Sequence, residues 1–234
     1  FAFAVSEMAR GKERLSLQFF AEDGMAIHKI YLTPQSHVEA YKALVEKYKA
    51  EEQNTKLEIS VFAEAPRYKN DHEVDLAGFQ KSWEELKDTH HFFGLLKKHN
   101  ISRSQALRLA PSAYYADKIE KEKIVSMLEK VARQELPIMV FVGNPGNIQI
   151  HTGKINKTLW HQQWFNIMDP DFNLHLNMDG VTNCWVVRKP TEDGIVTSIE
   201  CFDKDDELIV QFFGKRKPGI PEIKEWQELV AQLQ

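Results

Sequence analysis

SLQFFAEDGMAIHKIYL at residues 16–32 and SIECFDKDDELIVQFFG at residues 198–214 share one pattern: an alternating apolar run, an acidic turn and a second alternating run. Subtracting 16 from 198, or 31 from 213, gives the same offset of 182 positions, and that offset also sets Phe3-Ala4-Val5 against Trp185-Val186-Val187. One unbroken offset across turn and flanking strands reads as two copies of a strand–hairpin unit rather than a chance likeness of two hairpins. The first copy opens at Phe1-Ala2-Phe3-Ala4-Val5, in what looks like mid-strand, without the strands that precede its counterpart. The expectation is one and a half repeats of a two-repeat protein: residues 1–65 a remnant of the first repeat (hairpin, helix, strand), residues 66–234 the second repeat.

Outward from the hairpins, Val38, Tyr41, Leu44, Val45 and Tyr48 recur at helical spacing opposite Glu39, Lys42, Glu46 and Lys49, which predicts an amphipathic helix. KLEISVF (56–62) reads as a short strand, APRYKNDHE (65–73) as a polar linker, and residues 74–134 as a run of helices. From Pro137 the period changes to two. PIMVFVGN, NIQIHTG, WFNIMD, FNLHLNM, TNCWVVRK, GIVTSIECF and ELIVQFF predict an antiparallel sheet of about seven strands, and Pro221 suits the first turn of a closing helix. The fold class is α+β: a tandem structural repeat with broad antiparallel sheets flanked by α-helices.

With 234 residues, 43% hydrophobic and 27% charged, the chain can bury a substantial core. A net charge of −4 gives no global reason to expect nucleic acid or an anionic membrane as partner. No apolar run approaches the ~18 residues of a membrane span. Cys184 and Cys201 form no CxxC, CxxCH or zinc spacing, so a reducing cytoplasm fits best. There is no P-loop, GxGxxG, GxSxG or HExxH.

The richest local chemistry lies in KDTHHFFGLLKKHNISR (87–103). Asp88 could cap a helix running to about Asn100, which puts His90 in the first turn, where the dipole favours a neutral ring with a lone pair for a metal. Phe93 and Gly94 share the face of His90, while His91 shares the face of Leu95 and His99. On spacing alone, His90 reads more readily as a helix-terminal histidine bonded to a carbonyl. Arg103, Arg188-Lys189 and Lys215-Arg216-Lys217 are either solvated strand ends or, if the strands bring them together, a carboxylate clamp.

GNPGNIQIHTG, WFNIMDPDFNLHL, WVVRKPTEDGIVTS and ELIVQFFGKRKPGIPE resemble the C-terminal half of the HemS/ChuS haem-utilisation proteins, or hemin-degrading factors, and DTHHFFGLLKKHNISRSQAL resembles their haem-ligating helix. The resemblance covers essentially the whole chain and implies that roughly the first third of the family's length is absent. It implies a cytoplasmic bacterial protein that holds b-type haem non-covalently in a cleft of the C-terminal half. Carried over position by position, the axial histidine of the DxHxFF pattern falls on His90, and the propionate-side cations fall on Arg103, Lys189 and Arg216. Phe141, Gln211 and Phe213 match wall positions. Phe213 stands where some relatives carry tyrosine, and the family's arginine on the opposite haem face belongs to the absent part.

Two functions follow from the resemblance. One is a haem-binding protein that receives imported haem from an importer and passes it to a downstream acceptor or stores it. The other is a haem-degrading, oxygenase-like enzyme that opens the ring with electrons from an external donor. A blander expectation is a scaffold without haem whose exposed sheet edge promotes a homodimer.

Overall fold

A computed structural model describes residues 1–53, 56–60, 66–217 and 219–234. The chain separates into two compact units: residues 1–66 with the hairpin tip 144–147, and residues 67–143 with 148–234.

In the first unit, β1 (Ala2–Ala9), β2 (Lys12–Phe20) and β3 (Ala26–Tyr31) form an antiparallel meander, followed by α1 (Val38–Tyr48). The Tyr41 hydroxyl donates to the carbonyl of Ser16 (3.2 Å), tying helix to sheet. Ala2, Ala4, Leu17 and Phe19, with Leu44, Val45 and Tyr48 of the helix, line an open groove of about 430 Å³. The expected strand KLEISVF is absent over residues 56–60, and Val61 and Phe62 lie outside the described residues.

The second unit begins with a helical layer: α2 (Leu76–Glu84), α3 (His91–His99) and α4 (Arg103–Arg108). The predicted run of helices is interrupted by a strand, β4 (Ala116–Ile119), before α5 (Glu122–Arg133). Strand β4 is short and carries two charges, so periodicity did not reveal it; its edge pairing with β10 (Asn183–Thr191) defines it. The remaining strands are β5 (Ile138–Asn144), β6 (Asn147–Gly153), β7 (Thr158–His161), β8 (Trp164–Met168), β9 (Asn173–Asn177), β11 (Gly194–Phe202) and β12 (Leu208–Gly214). They do not make one sheet. A six-stranded sheet runs β4-β10-β11-β12-β5-β6, and β7-β8-β9 form a separate three-stranded sheet.

Because side chains alternate across a strand, the large sheet has two unlike faces. One face carries Cys184, Val186, Ile199, Cys201, Val210, Phe212, Ile138 and Val140 into the main core. That core is closed by α5, whose Ile124, Met127, Leu128 and Val131 fall at helical spacing on one face, and by Phe165, Ile167 and Leu176 of the small sheet. The last helix, α6 (Lys224–Ala231), adds Trp226, Leu229 and Val230. It starts three residues after Pro221, with Ile223 at its N-cap position, so the proline lies in the approach rather than in the first turn. A Cβ on Gly214 would stand 2.7 Å from Cβ and Cγ of Trp226, so glycine lets α6 lie directly on the sheet.

The repeat is exact in backbone terms. Ser16 pairs with Tyr31 and Phe20 with Ala26, with a bulge between Phe19 and Phe20. Ser198 pairs with Phe213 and Phe202 with Leu208, with a bulge between Cys201 and Phe202. The preceding strand obeys the same offset, since Ala2 faces Phe19 and Cys184 faces Cys201. The open groove of the first unit therefore corresponds to the sheet face that the second unit buries under α5 and the small sheet. The α+β tandem-repeat class is as expected. Among the described residues, no helix is long and apolar enough to cross a membrane.

Candidate ligand site on a half-covered sheet face

The other face of the large sheet is covered only in part. Over β4, β10 and β11, helices α2–α4 pack Phe79, Trp83, Phe92, Leu95, Leu96, Ile101 and Leu107 against Ala116, Val187 and Phe202. The Trp83 ring N–H reaches the carbonyl of Arg188 (3.0 Å), holding α2 to β10. Farther along the same face, Gln211 and Phe213 of β12 and Phe141 of β5 remain partly exposed. Phe141 and Phe213 meet edge to face with ring centroids 5.1 Å apart.

At the border between covered and open halves sits a charge cluster centred on Glu200, which is fully buried. Arg103 donates twice to it, Nε to Oε2 (2.6 Å) and Nη2 to Oε1 (2.8 Å). The Lys189 ammonium donates to Oε1 (2.8 Å), the Ser198 hydroxyl to Oε1 (3.0 Å) and the Gln211 amide to Oε1 (3.1 Å). Alternation explains the convergence: Lys189, Ser198, Glu200 and Gln211 all point to the same side of adjacent strands. Arg103 is placed by its helix. Ser102 and Gln105 form a capping box at the start of α4, so Arg103 occupies the first helical position. The Phe92 ring lies under both cations, 5.3 Å from the Arg103 guanidinium carbon and 4.6 Å from Lys189 Nζ.

The electrostatics follow from burial. Desolvation alone works against the Glu200 carboxylate, but Arg103 and Lys189 outweigh it and hold its pKa well below the ordinary range. Lys189 is pushed down to about 8, chiefly by burial, with Glu200 opposing the shift and Arg103 adding to it. Burial also works against the Arg103 charge, yet Glu200 more than offsets it and the Arg103 pKa rises. Two cations share one carboxylate, so the cluster keeps an excess of positive charge beside an open apolar surface.

His90 lies elsewhere, and none of the other predicted site residues bonds to it. It is the N-cap of α3 rather than a first-turn residue, because a tight turn over Asp88–Phe92 precedes the helix. Asp88 accepts the His90 backbone N–H (2.8 Å) and lies 2.6 Å from ring Nδ1. A carboxylate only accepts, so Nδ1 donates, and in the neutral form of the ring the lone pair lies on Nε2. These bonds, the backbone N–H first, lower the pKa of Asp88. The His90 side chain is 92% exposed, Phe93 is exposed, and a Cβ at Gly94 would meet nothing within 4 Å. His91 is exposed, whereas His99 is buried edge to face against Phe79 with its pKa lowered by that burial.

Arg216 stands apart from the Glu200 cluster. Its Nη2 meets Asp193 Oδ2 (3.3 Å) in the β10–β11 turn, and its buried Nε has no partner among the described residues. That turn also anchors the approach to His90, since Glu192 N–H donates to the carbonyl of Lys87 (3.0 Å). The structure thus gathers Arg103, Lys189 and Gln211 into one cluster bordered by Phe213 and Phe141. His90 and Arg216 hang from segments tied to one neighbouring turn.

Sequence reasoning missed Glu200, the counter-ion that converts a set of strand-end cations into a preformed cluster, and with it Ser198 and Phe92. The signal was present: Glu200 is the lone acid within the otherwise apolar or hydroxylic run GIVTSIECF. Lys189, expected as a clamp residue, is 3% exposed, with its ammonium already on Glu200.

Together these residues offer an exposed imidazole, a partly exposed aromatic sheet surface, a positive excess and a buried guanidinium N–H without a partner among the described residues.

The model of the haemin-degrading HemS.ChuX domain matches residues 1–48 and 100–233. Over 232 residues the chain is 37% identical to the hemin transport protein HemS of Yersinia enterocolitica, which covers 99% of this chain and 66% of that protein. The chain thus spans just under two thirds of the curated relatives it matches. Among solved structures, holo-PhuS, a heme-binding protein from Pseudomonas aeruginosa, superposes with a TM-score of 0.96 at 45% identity, over 100% of this chain and 67% of that one. The heme-degrading enzyme ChuS of Escherichia coli O157:H7 gives 0.90 at 36% identity, over 99% and 66%.

Proposed function

The chain belongs to the HemS family, and from that premise we propose that its second unit binds haem reversibly, with His90 as axial ligand and the propionates drawn to Arg103, Lys189 and Arg216. The observation that carries this reading is the positive excess of the Glu200 cluster at the edge of a partly exposed aromatic sheet face. Burying porphyrin on Phe141 and Phe213 supplies apolar affinity at ~25 cal/mol per Å². His90 Nε2 would hold the iron, and Asp88, bonded to Nδ1, would fix the tautomer and angle of the ring, as outer partners of ligating histidines do. Gln211 and Arg103, already oriented by Glu200, offer N–H groups at the border where a carboxylate would arrive. The association in this proposal is b-type and non-covalent, in keeping with a sequence here that carries no CxxCH attachment motif. Reversible holding suits a cytoplasmic intermediary fed by an importer and emptied to a downstream acceptor.

Titration with ferric haem tests the assignment. The protein should develop a Soret band that saturates, and His90→Ala should shift or abolish it. An unchanged spectrum in His90→Ala overturns His90 as the ligand.

A further inference from the structure

The small sheet β7-β8-β9 buries one face in the core and leaves the other open. That open face forms a shallow cleft of about 450 Å³ lined by Leu159, His161, Trp164, Asn166, Met168 and His175. Small-molecule clefts occupy roughly 300–1,000 Å³.

Asn166 is buried here, a position a carboxamide tolerates only when its bonds are satisfied. Its nitrogen donates to the carbonyls of Trp164 (2.9 Å) and Leu159 (3.3 Å). Flipping the amide would set oxygen against two carbonyl oxygens, so its orientation is fixed. Oδ1 therefore faces His175 Nδ1 at 2.6 Å and accepts its N–H, so that in the neutral form of this exposed ring the lone pair lies on Nε2. Asp88 sets His90 in the same way, and tying the second ring nitrogen is the usual preparation of a metal-ligating histidine. Asn166 pairs across the sheet with Leu159 and His175, while Trp164 and Met168 flank it on the same face, so the imidazole rises beside an apolar floor.

A bare metal ion is poorly served. The lining contains no carboxylate or thiolate, and among the described residues no group of three or more His, Cys, Asp or Glu could hold one. A metalloporphyrin brings its own equatorial nitrogens and needs one axial base and a flat apolar floor. We propose that this face is a second, surface site for a metalloporphyrin, with His175 Nε2 as axial ligand and Trp164, Met168 and Leu159 beneath the ring. The ligand class rests on the haem reading of the family; the cleft and the oriented imidazole do not. No cation lines the cleft, so the propionates stay in water and porphyrin is held more weakly than at the first site. Such a site serves entry or hand-over.

The test is a ferric-haem titration of the whole chain, its His90→Ala, His175→Ala and Met168→Glu variants, and the double histidine variant, followed at the Soret band. The expected result is a tight and a weak phase, with His175→Ala removing the weak phase and Met168→Glu weakening it about tenfold or more, the equivalent of ~1.4 kcal/mol. His90→Ala should remove only the tight phase. A weak phase that survives both His175→Ala and Met168→Glu overturns the proposal, as does a site that takes Zn²⁺ through His175 but no haem. Loss of all binding in His175→Ala, with none in His90→Ala, overturns the His90 assignment and leaves this one standing.

Discussion

Replacing Glu200 with glutamine removes a charge and keeps the shape, which makes it the most direct probe of the cluster. Glu200 is completely buried and accepts bonds from Arg103, Lys189, Ser198 and Gln211. Breaking a buried ion pair from one side costs about 3–5 kcal/mol, because the remaining charge stays buried without its counter-ion. Lys189 limits that cost. Its pKa is already down to about 8, so a further fall of about one unit, ~1.4 kcal/mol, lets it shed its proton near neutrality. Arg103 has no such route, but its side chain is 25% exposed and can turn toward water. The expected loss at pH 7 is therefore about 3 kcal/mol, read by urea unfolding followed through tryptophan fluorescence. The sign of the pH dependence is fixed as well. In the variant, the folded protein gives up the Lys189 proton at lower pH while the unfolded chain keeps it to about 10.5. Stability of the variant then rises from about pH 7 to 8, whereas the parent gains from this group only above about 8, and the gap between them narrows. Adding Lys189→Met should recover a large part of the loss. A loss below about 1 kcal/mol, or a gap that does not change with pH, would refute the account of two cations held by one carboxylate.

Haem affinity of the parent should fall as pH rises through about 8, when Lys189 loses its charge, and Lys189→Met should flatten that dependence; titrations at pH 7 and 9 compare them. Asp88→Ala frees the His90 ring and should weaken haem binding by roughly 10–100-fold with the fold intact, measured by Soret titration alongside circular dichroism. An unchanged affinity would make the Asp88 contact incidental. Gly214→Ala sets a methyl group against Trp226 and should cost about 1–3 kcal/mol by thermal unfolding, since the sheet and α6 have no room to part.

The hairpins were legible because alternation and turn chemistry are local, and the constant offset made two weak signals one strong one. The division of strands between two sheets was not, since β8 and β9 alternate just as β5 and β6 do and only tertiary packing assigns each to a sheet. β4 escaped for a related reason: ADKI has no period of its own and is a strand by virtue of its partner. At the site, residue types were readable but their bonding was not. Lys189 was legible as a cation of a clamp or of a solvated strand end, but its bond to Glu200 was not, because that contact spans two strands. The His90–Asp88 bond lies within three residues, yet its geometry depends on a turn that moves the cap two residues on, from Asp88 to His90.

The matched registers of the two hairpins make the molecule its own control specimen. At the shared offset, Glu7 stands for Lys189, Gln18 for Glu200, Lys29 for Gln211 and Tyr31 for Phe213, on the same pairing and the same bulge. Gln18 donates to Ser16 (3.1 Å) where Ser198 donates to Glu200 (3.0 Å), so a neutral amide already occupies the carboxylate's place in one copy. The two copies keep one pairing and one bulge while their charges differ, so this backbone accepts either set of side chains. A protein engineer could use the first copy as a template on which to rebuild the Glu200 cluster.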